Sequence, residues 1–298
     1  MRVSTSQTYQ RSMTLMSNLS AKADTQQSQI ASGKKVTAPS DDPGAYRQLA
    51  GLKRTDANDK AYAANVSTAQ GIIDQSDDTL SNIETQLQRA QELFSNAANG
   101  TLSDADRSSI GKELDSIRDA LFALANSRDS RGQPLFGGAT GDLPYVKADD
   151  GTISYVSSGE PAGIPIGDQT SIQVSVTGDR AFAAGTSDMF GVIAEFTNVL
   201  RSGGDVQAAS QKAVSGTTDA FASVTLAHAS VGARGTRLEL VADQLNYAAT
   251  AREDARSAIE DVDLAATISE FQQTLTVLQA TQASFTKLTA LSLFDYLR

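Results

Sequence analysis

Apolar residues recur at steps of seven over a long segment in the N-terminal half of the chain. The stripe comprises Leu52, Val66, Ile73, Leu80, Leu87 and Phe94. Only Asp59 interrupts it, and the positions three residues further on hold mostly small side chains. Because a repeat of seven keeps both sets on one face of an α-helix, the pattern predicts one long helix with a coiled-coil-like seam.

The residues around this segment predict where the long helix begins and ends. It follows a turn that contains Pro39, Asp41, Asp42 and Pro43. The Asp42 carboxylate can cap free backbone N–H groups, and a proline suits the first helical position. Asn99-Gly100 is a typical stop signal, and Ser103 opens the next helix. The short connection predicts that these two helices run antiparallel.

The C-terminal half repeats the pattern, and we expect a second rod from about residue 205 to residue 261. Its seam comprises Val231, Leu238, Val241, Leu245 and Ile259. Each rod would span on the order of 85 Å, so the two can pack side by side. Gly232 and Gly235 fall inside the second rod, where each weakens a helix by about 1 kcal/mol relative to alanine. Such glycines indicate a bend, close packing or a contact with another subunit.

Both ends of the chain predict amphipathic helices of a different kind. The N-terminal stripe comprises Tyr9, Met13, Met16, Leu19 and Ile30, and the C-terminal stripe comprises Leu264, Ile268, Phe271, Leu275, Leu278 and Phe285. Between residues 5 and 32 the only charges are Arg11, Lys22 and Asp24. A face of small uncharged polar residues can be buried against another protein without stranding a charge. We therefore predict that both helices form an assembly interface and order fully only on pairing or polymerisation.

The pattern changes to turns and alternation over residues 137–185, between the helical halves. Residues 152–156 and 171–176 are predicted strands, with glycine and proline in the turns. An insertion of this size has little core of its own, so we expect it to rest on the rod. The expected fold is mainly α, a long antiparallel coiled-coil-like helical rod formed by the N- and C-terminal halves, with a small β-rich insertion domain.

Composition argues against several classes of function. The 298 residues include 25 Lys+Arg and 35 Asp+Glu, a net charge of −10, and such a charge repels nucleic acid and anionic membranes. The sequence has no apolar run long enough to span a bilayer, and its first residues lack the apolar centre of a signal peptide. We therefore expect no nucleic-acid partner, no membrane partner and no export by the general secretory route.

The sequence offers few groups for catalysis or metal binding. With no cysteine and a single histidine, His228, thiol chemistry and Cys- or His-based metal sites are excluded. We predict that His228 is a surface histidine, that the chain needs no cofactor, and that it is not an enzyme. An enzyme is kept as a distant alternative, and it would need a carboxylate site in the insertion, for example at Asp149 or Asp168.

The motifs in both rods resemble the flagellin superfamily. Ser32-Gly33-Lys34-Lys35, followed by the Asp41-Asp42 pair, is similar to the family's Ser-Gly-basic and Asp-Asp junction after the first helix. Val231-Gly232-Ala233-Arg234 is similar to its C-terminal rod motif, and residues 291–298 are similar to its C-terminal end. The resemblance covers nearly the whole chain except the middle.

Other motifs resemble the branch of this superfamily found at the hook–filament junction more than the filament flagellins. These are residues 2–6, the prolines that flank Ser40-Asp41-Asp42, Leu135-Phe136-Gly137-Gly138, and residues 177–182. The resemblance implies three domains. Residues 1–42 with 262–298 would form an inner tube, residues 43–136 with 186–261 the rod, and residues 137–185 an outer domain.

The resemblance also implies a structural role in the bacterial flagellum. The chain would join the hook to the filament as a ring, with the first hook-associated protein, flagellin and further copies of itself as partners. It would leave the cell unfolded through the flagellar type III pathway, with an export chaperone on its C-terminal helix, and act outside the cell. The nearest alternative is filament flagellin itself, which would polymerise into long filaments when seeded.

Overall fold

The computed structural model describes residues 2–296, and the side chains of residues 7–287. Within that range the chain forms seven α-helices and three two-stranded antiparallel sheets. The helices are α1 (Arg2–Ser32), α2 (Pro43–Ala97), α3 (Asp104–Ala125), α4 (Gly178–Ala181), α5 (Met189–Ser202), α6 (Val206–Glu260) and α7 (Leu264–Tyr296). The strands are β1 (Tyr145–Lys147), β2 (Ile153–Tyr155), β3 (Ile164–Gly167), β4 (Thr170–Ile172), β5 (Ala183–Ala184) and β6 (Ser187–Asp188).

This architecture confirms the predicted fold class, which is mainly helical with a small β-rich region. Both predicted rods are single helices of 55 residues. The side chains of residues 2–6 and 291–298, which carry two of the sequence resemblances, lie outside the described part of the chain. No helix within residues 2–296 is long and apolar enough to cross a bilayer.

The chain divides into two compact units. The first contains the residues up to Ala57 together with those from Ala248 onward. The second contains Asn58–Tyr247, and it holds most of the buried apolar side chains. Each long helix contributes residues to both units, so each unit depends on segments from both halves of the sequence.

The core of the second unit is built on the heptad seam. Its fully buried leucine and isoleucine side chains come from α2, α3, the segment after α3, α5 and α6, and they include Leu80, Ile83, Leu87, Leu114, Leu121, Leu135, Ile193 and Leu238. Val224 and Val231 of α6 are also fully buried, as part of the same cluster. Each such side chain contributes roughly 2 kcal/mol through removal of its surface from water. Phe94 meets Phe196 of α5 edge to face, with ring centroids 4.8 Å apart.

Helix α6 runs antiparallel to α2 in this unit. The hydroxyl of Ser210 donates to the carbonyl oxygen of Phe94 over 2.7 Å, near the end of α2. Further along α6, a Cβ added to Gly235 would lie 3.5 Å from Cγ2 of Ile73. The predicted start of α3 is also observed, since Ser103 and Asp106 form a reciprocal capping box.

The insertion is a set of short hairpins rather than one sheet. Strand β1 pairs with β2, β3 with β4 and β5 with β6, all antiparallel. The predicted strand at residues 152–156 is observed as β2, but the one at residues 171–176 was predicted too long because β4 ends at Ile172. Val174 and Ser175 are buried instead, and the Arg234 guanidinium donates to the Ser175 carbonyl over 2.7 Å. Val174 and Ser175 therefore pack towards α6 instead of pairing with a neighbouring strand.

Two hydrogen bonds hold the insertion to the long helices, as expected from its small size. Arg234 of α6 provides one, and Asn65 of α2 donates its side-chain amide to the Pro165 carbonyl oxygen over 2.8 Å. Burial lowers the pKa of Arg234, although the guanidinium stays charged because its usual pKa is far above neutral. The conspicuous Val231-Gly232-Ala233-Arg234 motif thus includes a residue that positions the insertion.

An aromatic cluster around Tyr145 forms the core of the insertion. The Tyr145 ring centroid lies 5.3 Å from that of Tyr155, 5.0 Å from Phe190 and 6.1 Å from Phe182. Its hydroxyl donates to the Gly178 carbonyl oxygen over 2.9 Å, and burial raises its pKa. Asn126, which follows α3, exchanges two hydrogen bonds of 3.0 Å with the Tyr145 backbone. The end of α3 therefore fixes the position of this cluster.

Substitution of Gly178 by alanine should destabilise the second unit. A Cβ at this position would lie 2.7 Å from Cε2 of Tyr145, and a fully buried ring has little room to move. We expect a loss of about 1–3 kcal/mol in the free energy of unfolding, measured by urea denaturation. Gly100→Ala is the matched control, because a Cβ there meets nothing within 4 Å. Equal stability of the two variants would contradict the packing described for Tyr145.

Candidate assembly surfaces

Helices α1 and α7 lie against each other in the first unit. Among the described side chains of the two helices, the buried ones are small or polar, namely Ala23, Gln26 and Thr274. The Gln26 amide donates to a carboxylate oxygen of Glu270 over 3.1 Å. Nearer the ends of the chain, the rings of Tyr9 and Phe285 meet with centroids 4.6 Å apart. The pair is thus held by a narrow contact that leaves much of both helices open.

The predicted interface residues differ in how exposed their side chains are. Those that are half-buried are Met16, Leu19, Ile30, Phe271, Leu275, Leu278 and Phe285, whereas Tyr9, Met13, Leu264 and Ile268 are exposed. Met13 is 55% exposed and Ile268 is 42% exposed. Leu15 and Val277, which were not among the predicted interface residues, are exposed as well. Pairing of α1 with α7 therefore covers only part of the apolar surface.

Several hydroxyl groups on these helices are hydrogen-bonded within their own helix. The side chains of Ser12, Thr14 and Thr25 each donate to the carbonyl oxygen four residues earlier, over 3.0 Å. Thr276 and Thr281 of α7 do the same over 2.8 and 2.7 Å. A hydroxyl that is already bonded loses less on leaving water, so these faces can be buried at low cost.

Two short connectors join the terminal helices to the long helices, and they pair with each other. Gly33 ends α1 in the left-handed conformation, with φ of 70°. The Lys35 N–H then donates to the Glu260 carbonyl over 2.7 Å, and the Val262 N–H donates to the Gly33 carbonyl over 3.0 Å. Lys34 and Asp261 form an isolated antiparallel bridge between them. The end of α1 is thereby fixed to the end of α6.

A buried carboxylate lies at this connector bridge. Glu260 is 3% exposed, and its two oxygens bind Lys34 Nζ at 2.6 Å and the guanidinium of Arg256. The hydrogen bond from Lys34, with a second from Arg256, lowers the pKa of Glu260 despite its burial. Lys34, Arg256 and Glu260 form what we term the connector charge cluster. This cluster was not predicted, although a basic pair at residues 34–35 and an acidic pair at residues 260–261 were visible signals in the sequence.

The predicted junction turn is stabilised by its two aspartates. A carboxylate oxygen of Asp41 accepts hydrogen bonds from the backbone N–H groups of Thr37 and Ala38, over 2.9 and 2.8 Å. These bonds lower the pKa of Asp41. Asp42 accepts from the N–H groups of Gly44 and Ala45 over 2.8 and 2.9 Å, which caps α2. The flanking residues Pro39 and Pro43 lie in this turn and at the first position of α2.

The predicted seam residues differ in burial along the rods. Those that are buried are Val66, Ile73, Leu80, Leu87, Phe94, Val231 and Leu238, whereas Leu52, Val241, Leu245 and Ile259 are half-buried. Gly235 faces Ile73 in the seam, but a Cβ at Gly232 would meet nothing within 4 Å. A Cβ at Gly235 would make only an ordinary van der Waals contact with Ile73, so packing within the chain requires neither glycine.

The single histidine lies between two acidic residues of α2. Its Nε2 is 2.6 Å from an Asp77 oxygen and its Nδ1 is 3.5 Å from a Glu84 oxygen. The ring is half-buried, so His228 is a partly enclosed surface residue. Among the described side chains, no group of three or more histidine and carboxylate residues is placed to hold a metal ion. Asp149 and Asp168 lie in the turns of two different hairpins.

Comparison with known proteins gives two family matches, one for each helical half. The bacterial flagellin N-terminal helical region matches residues 3–140, and the bacterial flagellin C-terminal helical region matches residues 214–297. Flagellar hook-associated protein 3 of Escherichia coli is 30% identical, with 99% of each chain covered. The chain belongs to the flagellar hook-associated protein 3 family. It is a structural component of the flagellum.

Relatives from other bacteria agree with this assignment. Flagellar hook-associated protein 3 of Salmonella typhimurium is 29% identical, again with 99% of each chain covered. The solved structure of the flagellar junction protein from Legionella pneumophila superposes with a TM-score of 0.60 at 15% identity, over 73% of this chain and all of that one. At that identity the superposition shows a shared fold.

The connector charge cluster should make part of the stability depend on pH. Glu260 has its pKa lowered from about 4.5, so its contribution is complete above that pH and is lost as the pH falls through the lower, folded-state value. We expect Glu260→Gln to reduce the free energy of unfolding by about 1–3 kcal/mol at pH 7, because two charge-assisted hydrogen bonds are weakened. The difference from the unmodified chain should shrink below pH 4.

Urea denaturation across this pH range measures the effect. Glu253→Gln is the matched control, since Glu253 also pairs with Arg256 but is exposed and should contribute little. A constant difference between Glu260→Gln and the unmodified chain at all pH values would contradict the ionised, paired state of Glu260.

Proposed function

We propose that this chain is the subunit that joins the hook to the flagellin filament as a ring at their junction. The single observation that carries the proposal is the exposed, nearly charge-free apolar surface of the α1–α7 pair. Met13, Leu15, Ile268 and Val277 lie on it in water, which is costly for a protein that works alone. Burial against neighbouring subunits removes that cost. The names of the relatives, hook-associated and junction proteins, agree with this role.

The proposed partners follow from the position of a junction. Copies of the same chain would meet laterally in the ring, the first hook-associated protein would bind on the hook side, and flagellin would bind on the filament side. The paired terminal helices, residues 1–42 and 262–298, would form the inner layer. The rod, residues 43–136 and 186–261, would surround it, and residues 137–185 would project outward. Assembly, rather than chemistry, is the proposed activity.

We also propose export through the flagellar type III pathway, with an export chaperone on the C-terminal helix before assembly. The α7 stripe supports this part of the proposal, because its apolar side chains need a cover before they meet other subunits. The absence of cysteine is compatible with passage of an unfolded chain through a narrow channel.

Deletion of the gene in its motile host tests the junction role. We expect cells with hooks but without filaments, together with flagellin monomers in the medium, because filaments cannot attach without the junction. Electron microscopy and an assay of the medium provide the two measurements. Missing filaments without released flagellin would favour the filament subunit, for which the 25% identity to a Listeria innocua flagellin, over 82% of this chain, is the supporting observation. Normal filaments would overturn both roles.

A charge on the exposed face of α7 should block assembly without unfolding the chain. Ile268→Glu places a carboxylate where the side chain is already in water, so we expect unchanged helicity and thermal stability. In the assembled ring that charge would be buried without a partner, at a cost of several kcal/mol. We therefore expect loss of filament attachment when the variant is expressed in the deletion strain. Ile268→Leu is the control that should restore attachment, and attachment with Ile268→Glu would refute the α7 contact.

A further inference from the structure

The outer face of α6 carries large apolar side chains that remain in water. Leu226 is 73% exposed, Leu240 is 59% exposed and Tyr247 is 77% exposed. Together with the exposed Ala233 they recur at steps of seven, so they lie on one face of the helix. The seam residues Val224, Val231 and Leu238 lie on the opposite side, in the core. Helix α6 therefore has a second apolar stripe that points away from its own unit.

This outer face is also free of charge over several turns. Between Asp219 and Arg237 its exposed residues are Ala222, Thr225, Leu226, Ala229, Gly232, Ala233 and Thr236. A helical glycine costs about 1 kcal/mol relative to alanine, and a Cβ at Gly232 would meet nothing within 4 Å. The chain's own packing gives no reason for that cost. A helix from another molecule that lies close to α6 at Gly232 would give one.

Helix α2 has an exposed face that complements this one in shape. Ala61, Ala64, Thr68 and Gly71 are exposed and recur every three or four residues, so they share one side of the helix. Their side chains are small, and a Cβ at Gly71 would again meet nothing within 4 Å. The large side chains of the α6 face can therefore pack between them, as knobs fit into holes.

The two faces lie at matching heights along the second unit. Gly235 of α6 lies opposite Ile73 of α2, and the helices run antiparallel. The Gly235–Ile73 contact serves as a reference level. Leu240 comes five residues after Gly235, and Thr68 comes five residues before Ile73. Because the helices are antiparallel, both residues lie about 7.5 Å from the reference level in the same direction along the helix axes. By the same reasoning Tyr247 lies near the height of Ala61. A rotation about an axis parallel to the helices keeps these heights equal in neighbouring subunits.

Charges of opposite sign lie beside the two faces, although the α2 edge also carries Asp74 and Asp78. Glu239 and Asp243 are exposed at one edge of the α6 face, and Lys60 is exposed at the edge of the α2 face. Asp243 lies about 7.5 Å in height from Lys60, a difference that the two side chains together can span. Opposite charges at the edge of an apolar contact set its register and disfavour other pairings.

We propose that the α6 face of one copy docks on the α2 face of a second copy, as adjacent subunits of the ring. The contact uses two different surfaces, and such head-to-tail contacts generate closed rings when the rotation closes. This inference rests on the proposed function, because it identifies how copies of this chain meet at the junction. It places the contact on the long helices, apart from the surface of the α1–α7 pair.

Cysteine cross-linking tests the proposal directly, because the natural chain contains no cysteine. Flagella are isolated from the deletion strain carrying Leu240→Cys together with Thr68→Cys, and then mildly oxidised. A disulfide needs Cα atoms within about 7 Å, so the proposal predicts a ladder of covalently linked copies on a denaturing gel. Either cysteine alone should give no ladder. A ladder from Leu240→Cys alone would mean that two α6 faces meet each other, and would overturn the proposal, as would no ladder from the double variant.

A charge variant separates this contact from the function itself. Leu240→Glu should fold normally and be recovered in flagella at least about tenfold less than the unmodified chain. Gln88→Glu is the matched control, because it adds the same charge at an exposed position of α2 outside both faces, and it should be incorporated normally. Normal incorporation of Leu240→Glu overturns the α6–α2 contact alone. Failure of the unmodified chain to restore filaments in the deletion strain would overturn the proposed function instead.

Discussion

The burial of the heptad seam between α2 and α6 is the interaction on which the second unit depends. Each of these helices has 55 residues, and most of the stability of a helix in a protein comes from packing its apolar face. Leu80, Leu87, Val224 and Val231 provide that packing. The hairpins of the insertion pair over only two to four residues, which is too short to persist alone. They are held because Asn126, Asn65 and Arg234 attach them to helices that the seam has already fixed.

Much of this fold could be predicted from the sequence because its strongest signals are local. The heptad spacing, the Asp42-Pro43 start and the Ser103 cap each act within a few residues, and the structure has helix boundaries close to those predicted. The strand predicted over residues 171–176 was too long for a non-local reason, since Val174 and Ser175 pack on the rod. Helix α5 was not predicted as a separate element, although Asp188 at its start and Gly203 in the left-handed conformation at its end are ordinary capping signals.

The candidate surfaces show where such prediction stops. The apolar stripes of α1 and α7 were visible in the sequence. Each stripe is wider than the surface that the other helix covers. Only the structure separates Met16 and Leu19, which are half-buried, from Met13 and Ile268, which stay exposed. Lys34 and Glu260 are 226 positions apart, so their ion pair depends on an antiparallel arrangement that composition does not reveal. The same holds for the two outer faces of α2 and α6, whose matching heights follow from contacts such as that between Gly235 and Ile73.

The self-satisfied hydroxyls of α1 and α7 have a consequence for where such an assembly can work. Dissolved salt weakens attraction between exposed ions, and the Debye length falls from about 30 Å at 0.01 M to about 3 Å at 1 M. Ser12, Thr14, Thr25 and their counterparts on α7 are neutral and already bonded to their own backbone, so salt has almost nothing to screen on these faces. The proposed joint of methyl groups and bonded hydroxyls would therefore hold about equally well in fresh water and in brine.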